Sequence, residues 1–169
     1  MASPAGPRHS DEARHLLVVW HSRSGSTAIL RDALLAGATH AADADVGAPM
    51  TMRSLEAWVA GPEDVLWATG VVLATPANFG YMSGALKDFF ERIYHPCLER
   101  TAGLPYVVLA KGDTDVDGAV ASVERIATGL RWRRALPPLT VVGAAGEADI
   151  DRATELGAAF CAGLAAGIF

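Results

Sequence analysis

The chain has 169 residues, 51% of them hydrophobic and 20% charged, a balance that fits a folded globular protein and not a disordered one. A formal charge of −5 with no basic stripe argues against nucleic acid as a main partner. Cys97 and Cys161 have no CxxC or Cys/His spacing, which argues against a zinc site or a disulfide scaffold; without a signal-like start or a tract long enough to span a bilayer, the expectation is a cytoplasmic protein with no membrane span.

Residues 1–14 carry Pro4, Gly6 and Pro7 among polar residues and read as a mobile tail, leaving 15–169 as one domain. The apolar run His15–His21 reads as a buried strand. Ser22-Arg23-Ser24-Gly25-Ser26-Thr27 follows as a loop of hydroxyls, and a helix is expected over 26–37, ending near Gly37. A helix start presents unpaired N–H groups and the positive end of the helix dipole, so it attracts an anion such as phosphate. The hydroxyls add donors without bulk, Gly25 lets the backbone close around the anion, and Arg23 adds a positive charge. The competing reading is a plain Ser/Gly-rich turn.

A second strand is expected near Ala48–Arg53, and Leu55–Trp67 reads as one or two helices interrupted at Gly61-Pro62. Gly70–Thr75 is a clear apolar strand. It runs into the loop Pro76-Ala77-Asn78-Phe79-Gly80-Tyr81-Met82, after which Ser83 caps a helix to Tyr94. Phe79 and Tyr81 offer flat faces to a planar ring, Asn78 and main-chain groups suit its polar edge, and Gly80 permits close approach; both aromatics also suit ordinary loop anchoring. Tyr94–Leu98 reads as an exposed contact surface, with His95 at the surface rather than in a metal cluster. Pro105–Ala110 is the next strand, followed by a polar loop at 111–117 with Lys111, Gly112 and Asp113. A helix is expected from about Asp117 to Arg131, with Arg131-Trp132-Arg133-Arg134 as a solvated C-terminal turn. Strand Leu139–Gly143 and a helix over 147–165 complete the chain.

Asp113, Asp115, Asp117, Gly118 and Glu124 match the spacing of an EF-hand calcium loop. A strand rather than a helix precedes them, however, and Ala121 supplies no ligand, so the preferred reading is a helix cap and a solvated loop, with no metal site. No serine-hydrolase elbow, Walker loop or G-x-G-x-x-G stretch occurs.

Five strand–helix repeats with apolar strands predict a parallel sheet covered by helices on both faces, with ligands beyond the carboxyl ends of the strands. Loops 22–27, 76–82 and 111–117 share that end. A phosphate site at one side and a flat heterocycle site at the other describe a mononucleotide, and flavin mononucleotide (FMN) fits.

The loop 21–27 resembles the FMN phosphate loop of the flavodoxin-like superfamily. The run from Thr75 through Tyr81-Met-Ser-Gly-Ala-Leu-Lys87 to Arg92 resembles the second flavin loop of its NAD(P)H-dependent FMN and quinone reductase branch. The resemblance implies a flavodoxin-like three-layer sandwich with a five-stranded parallel sheet in order 2-1-3-4-5 and non-covalent FMN. It assigns Ser22, Ser24, Gly25, Ser26 and Thr27 to the phosphate, Pro76, Ala77, Asn78, Phe79 and Gly80 to the ring and ribityl chain, and Lys111, Gly112 and Asp113 to the third side. It further implies electrons passed from NADPH or NADH to a quinone, flavin or similar small acceptor, and a homodimer or homotetramer. No side-chain acid or base is required, so no catalytic residue is named. The alternative is a flavodoxin-type electron carrier between proteins; the mild charge of −5 favours the reductase, since carriers use a strong negative field to steer partners.

Overall fold

Strand β1 (Arg14–Trp20) sets the architecture, because its Leu16, Leu17, Val18 and Val19 are all buried and point alternately to two faces. Leu17 and Val19 join one hydrophobic cluster, and Leu16 and Val18 join the other. The computed structural model describes residues 12–44 and 47–169. The tail expected over 1–14 lies outside them apart from its last three residues, of which Arg14 already belongs to β1.

The sheet is built from β2 (Met50–Glu56), β1, β3 (Gly70–Pro76) and β4 (Pro105–Gly112) in that spatial order. Two short strands, β5 (Arg133–Arg134) and β6 (Leu139–Val142), both pair with β4, and every pairing is parallel. They form one edge position in two pieces. Pro137 and Pro138 have no N–H to give the ladder, so pairing stops after Arg134 and resumes at Leu139. The expected order 2-1-3-4-5 is therefore present, with a minor sixth strand.

Helices α1 (Ser26–Asp43) and α5 (Glu147–Ala165) cover one face, and α2 (Pro62–Trp67), α3 (Gly84–Cys97) and α4 (Val116–Gly129) the other. Parallel neighbours require crossovers, and helices on both faces supply them.

Four expectations change. Helix α1 runs on to Asp43 instead of ending at Gly37. That glycine marks a helix crossing: a Cβ there would lie 1.9 Å from the Thr154 carbonyl oxygen. Leu55 and Glu56 are strand, not helix, because they extend the β2 ladder opposite Val19 and Trp20, and helix begins only at Pro62. Within the expected contact surface Tyr94–Leu98, Cys97 is fully buried; α3 continues through Pro96 to place it inward, leaving His95 and Pro96 exposed. Finally, Trp132 is buried instead of solvated. Arg131 takes a left-handed conformation (φ 60°) that ends α4, and the chain then turns Trp132 in against Phe90 and Tyr106. Its indole N–H donates to Thr101 Oγ1 at 2.8 Å, which satisfies the buried donor.

Candidate functional site

The carboxyl ends of β1, β3 and β4 converge on a cavity of about 380 Å³. Arg23, Ser24, Ser26 and Thr27 line it on one side, Pro76, Ala77 and Asn78 on the second, and Lys111, Gly112 and Asp113 on the third. Ten of the fourteen residues expected at a ligand site thus meet around one hollow. Ser22, Gly25, Phe79 and Gly80 are not in its walls.

The first wall is a helix start made of donors. Gly25 sits at φ 89° as the N-cap of α1, with no side-chain cap of its own. Ser22 does that work from outside the cavity, its hydroxyl accepting from the Ala28 N–H at 3.2 Å. The N–H groups of Ser26 and Thr27 have no carbonyl partner within the helix. The hydroxyls of Ser24 and Ser26 are hydrogen-bonded to each other at 3.1 Å, so one accepts and the other donates, and both sit at the mouth of the helix start. With the Arg23 guanidinium and no carboxylate in this wall, the donor set suits an anion.

The second wall is held by its neighbours. The Ala77 N–H donates to the Lys111 carbonyl at 2.8 Å, and the buried Thr75 hydroxyl accepts from the Ser83 N–H at 3.0 Å. Asn78 and Tyr81 exchange two backbone hydrogen bonds of 2.9 Å around Phe79 and Gly80, both at positive φ (53° and 66°). That is the geometry of a type I′ turn. The turn rests on the third loop: a Cβ on Gly80 would lie 2.3 Å from Asp115 Oδ2, and one on Gly118 would lie 2.2 Å from the Gly80 carbonyl oxygen. The Met82 N–H donates to Ser122 Oγ at 3.0 Å.

Phe79 is the strained member. A bulky residue at positive φ costs roughly 1–2 kcal/mol, and here no burial offsets it, because the ring is wholly exposed. Strain of this kind is retained where surrounding structure or function demands it. Phe79→Asn creates the Asn-Gly pair that type I′ turns prefer. It is expected to stabilise the protein by about 1 kcal/mol in urea denaturation while weakening the binding of a planar ligand; a loss of stability instead would mean that the phenyl ring contributes to the fold.

The third wall has one cation. Lys111 Nζ lies 3.3 Å from Asp113 Oδ1, the lysine largely buried and the aspartate exposed. Asp115 caps α4 by accepting from the Gly118 N–H at 3.2 Å, which is the capping role read from the sequence, displaced two residues from Asp117. Among the described residues no group of three or more His, Cys, Asp or Glu side chains is placed to hold a metal ion.

Two tryptophans flank this end, Trp20 at the close of β1 and Trp58, which nothing in the sequence singles out. Trp58, more than half exposed, follows β2, and its ring meets the His21 imidazole edge-on at 6.3 Å. Arg92 of α3 fixes the loop beneath it, donating to the carbonyls of Ala57 and Ala60 at 2.6 and 2.7 Å. Trp20 closes β1 with Arg31 stacked 3.8 Å from its ring. Trp58 is hidden in the sequence because Leu-Glu-Ala-Trp-Val-Ala imitates a helix.

His21 carries a buried Nδ1 with no hydrogen-bond partner among the described residues. Burial is the main influence holding its pKa below the usual 6.5; Glu56 opposes that and Arg23 adds to it. The folded state therefore binds fewer protons than the unfolded chain just below pH 6.5, and stability is expected to fall as pH drops through that window. His21→Gln should flatten this slope in denaturation midpoints measured between pH 7 and pH 5, values chosen to bracket the ordinary histidine range. An unchanged slope would assign the dependence elsewhere.

No family model matches the chain. A flavodoxin from Aquifex aeolicus (strain VF5) is 31% identical over 78 residues, covering 46% of this chain and 39% of that relative. Among solved structures, a flavodoxin from the domain Archaea superposes with a TM-score of 0.75 at 12% identity, covering 89% of this chain and 98% of the other. The WrbA-like flavodoxin protein from Agrobacterium tumefaciens gives 0.73 at 16% identity, covering 89% and 97%. The fold is the flavodoxin-like one: a parallel sheet in that strand order, sandwiched by helices. Among the described residues no helix is long and apolar enough to cross a membrane.

Proposed function

We propose that this chain binds FMN non-covalently and passes electrons from NADH or NADPH to a quinone, a free flavin or a similar small acceptor. The observation that carries this reading is the cavity itself, in which a donor-rich helix start without a carboxylate faces a backbone-lined slot across about 380 Å³. A phosphate fits the first wall by charge and a flat polar ring fits the second by shape. The fit extends to close approach: a Cβ on Gly112 would lie 2.7 Å from the Ala77 Cβ, so only glycine lets the second and third loops meet there.

In this reading Ser24, Ser26 and Thr27 give hydroxyl and N–H donors to the phosphate, Ser22 holds the helix start, and Arg23 adds charge. Pro76, Ala77 and Asn78 present backbone and amide groups to the ring edge, while Phe79 and Gly80 shape the turn at its rim. Lys111 offers a cation beside the ring, moderated by Asp113. FMN, when bound, supplies the hydride and electron exchange. The protein's share is to bind and orient it and to keep one face open, and no side chain acts as acid or base.

A second reading is a flavodoxin-type carrier between protein partners. Trp58, Val59, Phe79 and Tyr81 are exposed apolar residues at one end of the sheet, a collar suited to protein contact, and the partial likeness to a flavodoxin points the same way. The absorption spectrum of the purified protein tests the cofactor: flavin bands released on heating are expected, and a colourless preparation that ignores added FMN overturns the proposal. Steady-state oxidation of NADH or NADPH with a quinone then separates the two roles. Turnover supports the reductase, whereas no turnover together with fast reduction by a flavodoxin reductase assigns the carrier.

A further inference from the structure

Beyond Tyr81 the surface between α3 and α4 opens into two adjoining hollows. The first, about 240 Å³, is walled by Tyr81 and by Gly118, Ala121 and Ser122 of α4. The second, about 330 Å³, has Phe90, Tyr94, Ile126 and Gly129 as apolar walls, with Lys87 and Glu91 at its side. Arg125 lines both. The α4 residues 118, 121, 122, 125, 126 and 129 recur at three- and four-residue steps, so they form one helix face about 16 Å long. Gly129 keeps the far end open and flat, since a Cβ there would lie 2.6 Å from the Tyr94 hydroxyl, which rests against bare backbone.

Arg125 is exposed and has no ion-pair or hydrogen-bond partner among the described residues, whereas Arg31, Arg53, Arg92, Arg131, Arg134 and Arg152 each hold a carboxylate. Lys87 pairs with Glu91, which leaves Arg125 as the charge available to an anion. The groove therefore starts at Tyr81, whose backbone pairs with that of Asn78 in the cavity wall, then presents a free guanidinium, then a flat apolar floor. Planar, anionic and planar again is the order of chemical groups along a dinucleotide. A guanidinium is also the side chain best shaped to grip phosphate oxygens in pairs.

We propose that the groove between α3 and α4 receives the pyrophosphate and adenosine half of a nicotinamide dinucleotide, with Arg125 as its anion contact and Tyr94, Ile126 and Gly129 as the floor under its far base. The assignment rests on the FMN reading above and extends it: the nicotinamide lies towards Tyr81 and the flavin ring site, and the remainder follows the groove away from it. Glu91 opposes an anion at the Lys87 side, so the phosphates lie nearer α4 than α3.

The test is calorimetric titration of the FMN-loaded protein with NADP⁺, NAD⁺ and nicotinamide mononucleotide, with a separate FMN titration of each variant. Arg125→Glu is expected to weaken dinucleotide binding at least tenfold while leaving mononucleotide and FMN affinities unchanged. Ala121→Glu, also at an exposed position, should act in the same direction. Unchanged dinucleotide binding in both variants overturns the groove. So does an equal loss for dinucleotide and mononucleotide, or a wild type that binds neither dinucleotide. A dimer seen by sedimentation and abolished by Arg125→Glu would seat a second copy there, and overturns it as well. Failure of the FMN reading shows in the FMN titration alone, and the same dinucleotide titration of the cofactor-free chain and its Arg125→Glu variant then decides the groove.

Discussion

Gly157→Val is expected to destabilise the protein by about 3 kcal/mol or more, a large share of the 5–15 kcal/mol that holds a typical domain folded. A Cβ at Gly157 would lie 1.9 Å from the Leu34 carbonyl oxygen, and one at Gly37 would lie 1.9 Å from that of Thr154. Helices α1 and α5 thus cross backbone to backbone, each with a glycine facing the other's carbonyl. The obstacle is main chain, which cannot rotate aside as a side chain would, so valine must push the helices apart. Separation would open the cluster around Leu30, Leu34, Phe160 and Leu164. The gain from replacing a mid-helix glycine offsets only some tenths of a kcal/mol of this. The disturbance should also reach the anion loop, because α1 begins there. Urea denaturation measures the loss, and Gly84→Ala is the control: a Cβ at Gly84 meets nothing within 4 Å and should change stability by less than about 0.5 kcal/mol. Equal effects at the two positions would sink the crossing argument.

What could be read from the chain follows from how local each signal is. Continuous apolar runs at 15–20, 70–75 and 105–110 announce strands buried on both faces, and hydroxyls before a helical period announce an anion-ready helix start; both are visible within ten residues. The misreadings depend on partners far away in sequence. Gly37 reads as a helix stop until Thr154 is seen against it. Leu55 and Glu56 read as helix until Val19 and Trp20 pair with them. Trp132 between arginines reads as solvated until Phe90, Tyr106 and Thr101 enclose it. The candidate site shows the same division. The walls at 23–24, 26–27, 76–78 and 111–113 lie at or after strand ends and are visible in the sequence, whereas Trp58 and the α3–α4 groove exist only through packing.

Ser26→Asp should separate the ligand's phosphate from the rest of it. Position 26 opens α1, where a carboxylate meets the positive end of the dipole and is expected to stabilise the protein by about 0.3–1 kcal/mol. The same carboxylate would sit where the phosphate of FMN is proposed to bind. It removes one hydroxyl donor, worth about 1.5–3 kcal/mol to an anion. It also adds a repulsion of up to about 4 kcal/mol at 4 Å near a protein surface. Even half of that total weakens FMN binding by about a hundredfold or more. Riboflavin carries the same ring and ribityl chain without the phosphate, so its affinity should be unchanged. The ratio of FMN to riboflavin affinity is therefore the readout, and it is independent of stability because the variant is expected to melt no earlier than the wild type. A ratio that falls about a hundredfold places the anion at the start of α1. A ratio left unchanged removes the anion from this loop, and with it the phosphate half of the proposed FMN site.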